Sequence, residues 1–264
     1  MGKLEKEKSS SLSTVKNALN ILRSFSMDEP EQGVRELSQL LGMPRSTVQR
    51  LLATLASEGF LEQNPSTKKY RLGIPFLSLS TIVTSHFDAF KEFYPVYKEA
   101  ADKLGETIRS STLAGTQVIQ VYAYRCKYPG RSFNHIGRYN PVHCTSAGKV
   151  LLANSNEEFI EDVIQKGLKR YTKYTKTDPH EFRAELKKVR EQGYSTSIEE
   201  FGIGGISVAA PVHDYSRKVN FAIDIVSTVD RINRHNISNF VEEIKKTAGR
   251  ISEICQFYEY SRRW

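Results

Sequence analysis

Arg45, Ser46, Thr47, Gln49 and Arg50 crowd into residues 45–50, and their side chains share one chemistry. Arginine can donate to both acceptors of guanine, glutamine can pair with adenine, and serine or threonine can hold a phosphate. To act together they need a helix that presents them from its first turns. The segment VRELSQLLGMPRSTVQRLLA, residues 34–53, supplies one. Val34, Leu37, Leu40 and Leu41 recur at three- and four-residue spacing, so they share one face of a first helix. Gly42 suits a left-handed C-cap, and Pro44 can open a helix but not continue one. A second helix then starts at Pro44 or Arg45, with Val48, Leu51, Leu52 and Leu55 inward and the polar group outward. That is the pattern of a helix-turn-helix whose second helix reads the major groove. Any amphipathic helical hairpin also has a polar outer face, so the flanking elements must decide.

They favour a reader of DNA. Gly59 ends the second helix, and Phe60 to Gln63 and Lys69 to Leu72 read as short strands around the turn-forming Asn64-Pro65-Ser66-Thr67-Lys68. Such a hairpin is a wing, on which Lys68, Lys69 and Arg71 can lie along the phosphate backbone. A solvated hairpin tip would carry the same cations. Val15, Leu19, Leu22 and Phe25 mark a helix packed behind the reading pair, capped by Ser13 or Thr14. The expected winged helix-turn-helix covers residues 12–73, after a charged, serine-rich, disordered arm at 1–11.

The chain has 264 residues, enough for two cores. Its net charge of +8 favours a polyanionic partner. No apolar run is long enough for a bilayer, and the N-terminus lacks a signal peptide's apolar centre, so we expect a cytoplasmic protein with no membrane partner. Three cysteines, Cys126, Cys144 and Cys255, are widely spaced and form no framework. They read as packing residues in a reducing compartment. His143 precedes Cys144, but the short paired spacings of a zinc site are absent, so no metal and no cofactor is expected.

Residues 74–88 read as a linker helix, followed by an effector-type domain over 89–260. Phe76, Leu79, Ile82, Val83, Phe87, Phe90, Phe93, Tyr97, Ala100 and Leu104 recur at helical spacing, with Pro95 expected to break or kink the run. Such a stripe can pair two copies of the chain, or can simply begin the next core. Strands are expected at 107–113, 117–124, 131–137, 194–199, 206–212 and 219–226. Helices are expected at 147–153, 157–165, 179–192 behind an Asp178 cap, and 237–258. This mixture indicates an α+β domain with a mainly antiparallel sheet.

Two segments there could hold a ligand. Thr145-Ser146-Ala147-Gly148-Lys149-Val150 resembles the end of a P-loop, but His143 stands where that motif needs glycine and Val150 where it needs serine or threonine. What remains is a helix start suited to a carboxylate. Phe201-Gly202-Ile203-Gly204-Gly205-Ile206-Ser207 could let a ligand approach the backbone, or could be a flexible loop.

Three further stretches carry a family resemblance: HCTSAGKVLLA (143–153), TDPHEFRAELKKVREQGYS (177–195) and EEFGIGGISVAAPVHD (199–214). With the winged helix-turn-helix before them, the whole chain resembles an IclR-type transcriptional regulator. The resemblance implies a GAF-like effector-binding domain joined by a linker helix to the DNA-binding domain. It also implies a homodimer or homotetramer on a palindromic operator of double-stranded DNA, and a small organic acid as effector. Members of the family place an acid ahead of the glycine loop, a cysteine before Ala-Ala-Pro, and two small hydroxyl residues on the next strand. The matching positions are Ser197, Ser207, Asp224 and Val226, beside the helix start Ser146, Ala147 and Gly148. The acid has moved to Asp224 and the cysteine has become serine. A carboxylate at the helix start would leave Asp224 to accept from a ligand hydroxyl, as on a sugar acid. Asp224 could instead be a solvent-facing strand residue, with Phe221, Ile223 and Ile225 on the opposite face.

The expected mechanism is operator binding, as by a repressor, with ligand in the C-terminal domain shifting the two recognition helices. A GAF-type sensor that works through protein contacts without DNA is the alternative. An enzyme using His143, Cys144 or Ser207 is disfavoured, because none has a partnered base at a recognisable spacing.

Overall fold

A computed structural model describes residues 13–26, 28–85, 89–126 and 136–258, and the chain divides into two compact units, Met1–Ser85 and His86–Trp264. Among the described residues, no helix is long and apolar enough to cross a membrane.

The first unit holds α1 (Ser13–Arg23), α2 (Val34–Leu41), α3 (Arg45–Ser57), the two-stranded wing β1 (Leu61–Gln63) and β2 (Tyr70–Leu72), and α4 (Pro75–Ser85). Its core is Ile21, Leu37, Val48, Leu52, Leu61 and Tyr70. Gly42 takes the left-handed conformation at φ 63° and returns its amide to the Ser38 carbonyl, which turns the chain sharply into α3. The wing pairs Leu61 with Leu72 and Gln63 with Tyr70. A further bridge from Gln32 to Tyr70 ties the approach to α2 onto the wing.

Three expectations change here. Leu40 is 61% exposed, although its spacing placed it on the apolar face of α2. On α1 the buried face is led by Ile21 with Leu22 beside it and Phe25 packing just past the helix end, while Val15 and Leu19 lie on a neighbouring exposed face. Ser13 is already helical, so neither it nor Thr14 caps α1 from outside.

The second unit is a six-stranded antiparallel sheet in the order β5-β4-β3-β8-β7-β6. The strands are β3 (Ile108–Ala114), β4 (Gln117–Tyr124), β5 (Tyr139–Pro141), β6 (Ser195–Ile198), β7 (Gly205–His213) and β8 (Val219–Thr228). One face packs on α5 (Ala89–Leu104) and α9 (Ile237–Tyr258) through Tyr97, Ile108, Val208, Ile223, Ile225 and Ile244. The other packs on α6 (Ser146–Ala153), α7 (Glu157–Gln165) and α8 (Pro179–Gln192) through Leu152, Ile160, Phe182, Ala209 and Ala222. Asp178 caps α8, its Oδ1 accepting from the amides of His180 and Glu181.

Pro95 lies inside α5, which continues through it. The strand expected at 131–137 falls largely outside the described residues. Ile136 and Gly137 form a turn, and the pairing strand is β5, opposite Gln117, Val118 and Ile119.

Candidate functional site

The outer surface of the first unit carries the candidate DNA contacts. Arg45, Ser46, Gln49 and Arg50 are exposed on the opening turns of α3, and Thr47 is half-buried against the core behind them. Pro44 precedes α3, and no side chain caps its start. An uncapped helix start attracts phosphate through its free amides and its dipole.

The three wing cations are not equivalent. Lys68 sits at the tip in a left-handed conformation, φ 59°, with no ion pair among the described residues. Lys69 pairs with Glu36 of α2 at 3.0 Å, and Arg71 pairs with Glu62 across the hairpin at 2.9 Å. Spacing alone treats these cations alike, because it cannot show the acids that the fold sets opposite them. Exposed pairs of this kind contribute only about 0–1 kcal/mol, so phosphate can compete for both cations.

In the second unit the candidate effector residues converge where α6 meets the sheet. Ser197 on β6 and Ser207 on β7 are register partners, and Ser207 pairs onward with Val226 on β8. Ser197 Oγ donates to the Cys144 carbonyl at 2.8 Å, and Ser207 Oγ accepts from the Ser146 amide at 3.3 Å. Thr145 Oγ1 caps the helix by accepting from the Gly148 amide. Ala147 is the residue of this opening turn whose amide takes no partner among the described residues. Ser146 Oγ is buried without a partner among them. Gly148 is required by packing, because a Cβ there would lie 2.1 Å from the Val142 carbonyl oxygen.

Asp224 is not the solvent-facing residue that one expectation made it. It lies on the α6 face of β8, opposite Phe221, Ile223 and Ile225, but it is fully buried. Its Oδ2 accepts from Nε of Arg109 at 2.9 Å and from that residue's Nη2, and its Oδ1 accepts from Ser111 at 2.8 Å. The carboxylate is therefore engaged by protein groups and does not face solvent. Arg109 was not picked out by motif. Its signal in the sequence is a lone arginine in the strand Ile108–Ala114, followed by Ser110 and Ser111.

Lys149 corrects the P-loop likeness physically. Its ammonium is buried and lies 2.7 Å from Glu200 and 3.1 Å from Glu185, so it ties α6 to the glycine loop and to α8. Burial pushes the Glu185 carboxyl up, but Lys149 and Lys176 outweigh that and hold it below its ordinary value. The glycine loop is itself a bonded turn: Glu199 accepts from the Gly204 amide at 2.8 Å, and Gly204 adopts φ 77°.

Neither His143 nor Cys144 is poised as a nucleophile or base. Burial, with Glu200 nearby, pushes the Cys144 thiol up to about 12, so it stays protonated and non-nucleophilic at neutral pH. His143 is shifted down by burial, and its Nε2 is held by the Lys169 carbonyl at 2.9 Å.

The family model for the IclR helix-turn-helix domain matches residues 14–65, and that for the bacterial transcriptional regulator IclR C-terminal domain matches residues 81–253. The chain is 30% identical over 251 residues to the HTH-type transcriptional regulator KdgR of Dickeya chrysanthemi, covering 95% of this chain and 82% of that one. It is similar to the crystal structure of an IclR transcriptional regulator from Silicibacter sp. TM1040, with a TM-score of 0.77 at 28% identity over 92% and 96% of the two chains. An IclR homologue from Microbacterium hydrocarbonoxydans, solved with 4-hydroxybenzoate, shares the fold with a TM-score of 0.76 at 21% identity over 92% and 99%. The two family models together span most of the chain, which belongs to the IclR family of transcriptional regulators.

Proposed function

We propose that this regulator binds a palindromic operator as a homodimer or homotetramer, and that a small organic acid on the α6 face of the second unit sets its operator affinity. The observation that carries the DNA reading is the uncapped start of α3, with Arg45 and Arg50 exposed beside it. In this reading Arg45, Gln49 and Arg50 meet base edges, Ser46 and Thr47 hold phosphate, and Lys68 leads the wing with Lys69 and Arg71 behind it. Two-fold DNA calls for a two-fold protein. Exposed apolar side chains on α1 and α4, including Val15, Leu19, Leu77 and Ile82, suit a second copy of the chain.

The effector reading is supported by the chemistry of the face under α6. Ser146, Ala147, Gly148, Ser197 and Ser207 bring hydroxyls and amides together there, with Val226 at its margin and Asp224 behind Arg109. Among the described residues the Ala147 amide and the Ser146 hydroxyl remain without a partner, an acid is a ligand class that such donors favour, and a homologue was solved with one. Binding couples to DNA to the extent that the acid prefers one of two arrangements of the protein.

Fluorescence anisotropy on a labelled operator tests the DNA reading. Replacing Arg45 and Arg50 together by alanine should abolish sequence preference and leave weak, salt-sensitive binding. Retention of full preference would overturn it.

A further inference from the structure

We propose that Arg109 is the group that anchors the effector's acid, and that Asp224 is the positioning residue that holds Arg109 in place. The inference rests on reading the second unit as an effector-binding domain. It goes beyond that reading by moving the anion from the start of α6 to a side chain on β3.

Arg109 and Asp224 are register partners on neighbouring strands, and so are Asp224 and Ala209. Paired residues in a sheet project to one face, and Ala209 packs under α6. Arg109 therefore stands on the α6 face. Its bonds to Asp224 use Nε and Nη2, while Nη1 makes no hydrogen bond to any described residue. Guanidinium is a planar fork of five donors, so an arginine held along one edge can present another to a carboxylate. Arg109 is 8% exposed and Asp224 0% exposed, so the arginine is the less enclosed member of the pair.

The groups around it point the same way. Gln120 lies opposite Ser111 on the same face, and its buried Nε2 has no partner among the described residues. Ser146 Oγ is likewise buried and unpartnered among them. A buried donor is stabilised only when it finds an acceptor, so both groups favour a ligand with acceptor atoms beyond its carboxylate. The start of α6 is a weaker alternative for the charge. Ser207 and Thr145 already occupy the amides of Ser146 and Gly148, which leaves that of Ala147. The ligand class is thus an acid bearing at least one further acceptor, with its carboxylate on Arg109.

Crystals of the full-length protein soaked in acetate, and in acetamide as the neutral isostere, test this directly. Acetate density against Arg109, absent with acetamide, is the expected result. In Asp224→Asn the guanidinium loses the carboxylate that fixes it, so acetate should shift from the Nη1 edge toward the vacated Nε–Nη2 edge, and it should be lost in the double variant Arg109→Met with Asp224→Met. The double variant replaces the buried pair by apolar side chains, and its melting curve reports whether the fold is kept. Acetate at the start of α6 and not at Arg109 would overturn the anchor while leaving the effector-domain reading standing. Acetate at neither place would overturn the anchor and count equally against an acid on this face.

Discussion

The backbone amide of Ser146 donates to the hydroxyl of Ser207 at 3.3 Å, which fastens the first turn of α6 to the middle of the sheet. Helix start and strand thus form one surface, the one on which the proposed effector face is drawn. Ser207→Ala should cost about 1–3 kcal/mol by leaving that buried amide without its acceptor. Chemical denaturation measures it, and an unchanged midpoint would show that the bond contributes nothing.

Lys149 offers a larger effect. Lys149→Met leaves Glu200 buried without its cation, and a broken buried pair costs about 3–5 kcal/mol. The same denaturation experiment should show a loss in that range, against well under 1 kcal/mol for an exposed lysine such as Lys187.

His143 gives a pH dependence whose sign is fixed. Burial lowers its pKa in the folded protein, so the folded state binds fewer protons than the unfolded chain, where histidine titrates near about 6.5. The resulting stability is fully present above about pH 6.5 and is lost as pH falls through the lower folded value. His143→Phe should flatten the fall in unfolding free energy between pH 7.5 and pH 5.5. An unaltered slope would contradict the assignment.

On DNA, the wing cations should separate. Lys68→Ala should weaken binding about evenly across sequences and reduce the salt slope by about 1. Arg71→Ala should do less, because Arg71 is already paired with Glu62. Anisotropy titrations at several salt concentrations distinguish the two, and equal losses would show that DNA displaces Glu62 completely.

Self-association should depend on the exposed apolar side chains. Replacing Leu77 and Ile82 of α4 together by glutamate should shift sedimentation toward monomer without changing the melting of the isolated fold. No change in sedimentation would place the interface elsewhere.

Much of the molecule was legible because local signals coincided with tertiary ones. Gly42 and Pro44 punctuate the reading helices, and Asp178 caps α8 where its type and spacing require. The hairpin strands followed from alternation and turn residues. Leu40 and Leu19 were misplaced because an apolar stripe broader than its partner surface cannot reveal which edge is covered. The site was harder. Ser197 and Ser207 were singled out by resemblance, whereas Arg109, Gln120 and Glu200 meet the α6 region only through strand pairing and a loop. Arg109 lies 115 positions from Asp224, and no local period joins them.

Selection from random-sequence duplex DNA at about physiological salt tests the central claim most directly, since the sequence-blind phosphate contribution is then limited. The account predicts enrichment of a palindrome, lost when Arg45 and Arg50 are both replaced by alanine. Recovery of no enriched sequence by the full-length protein, with and without added organic acids, would contradict it.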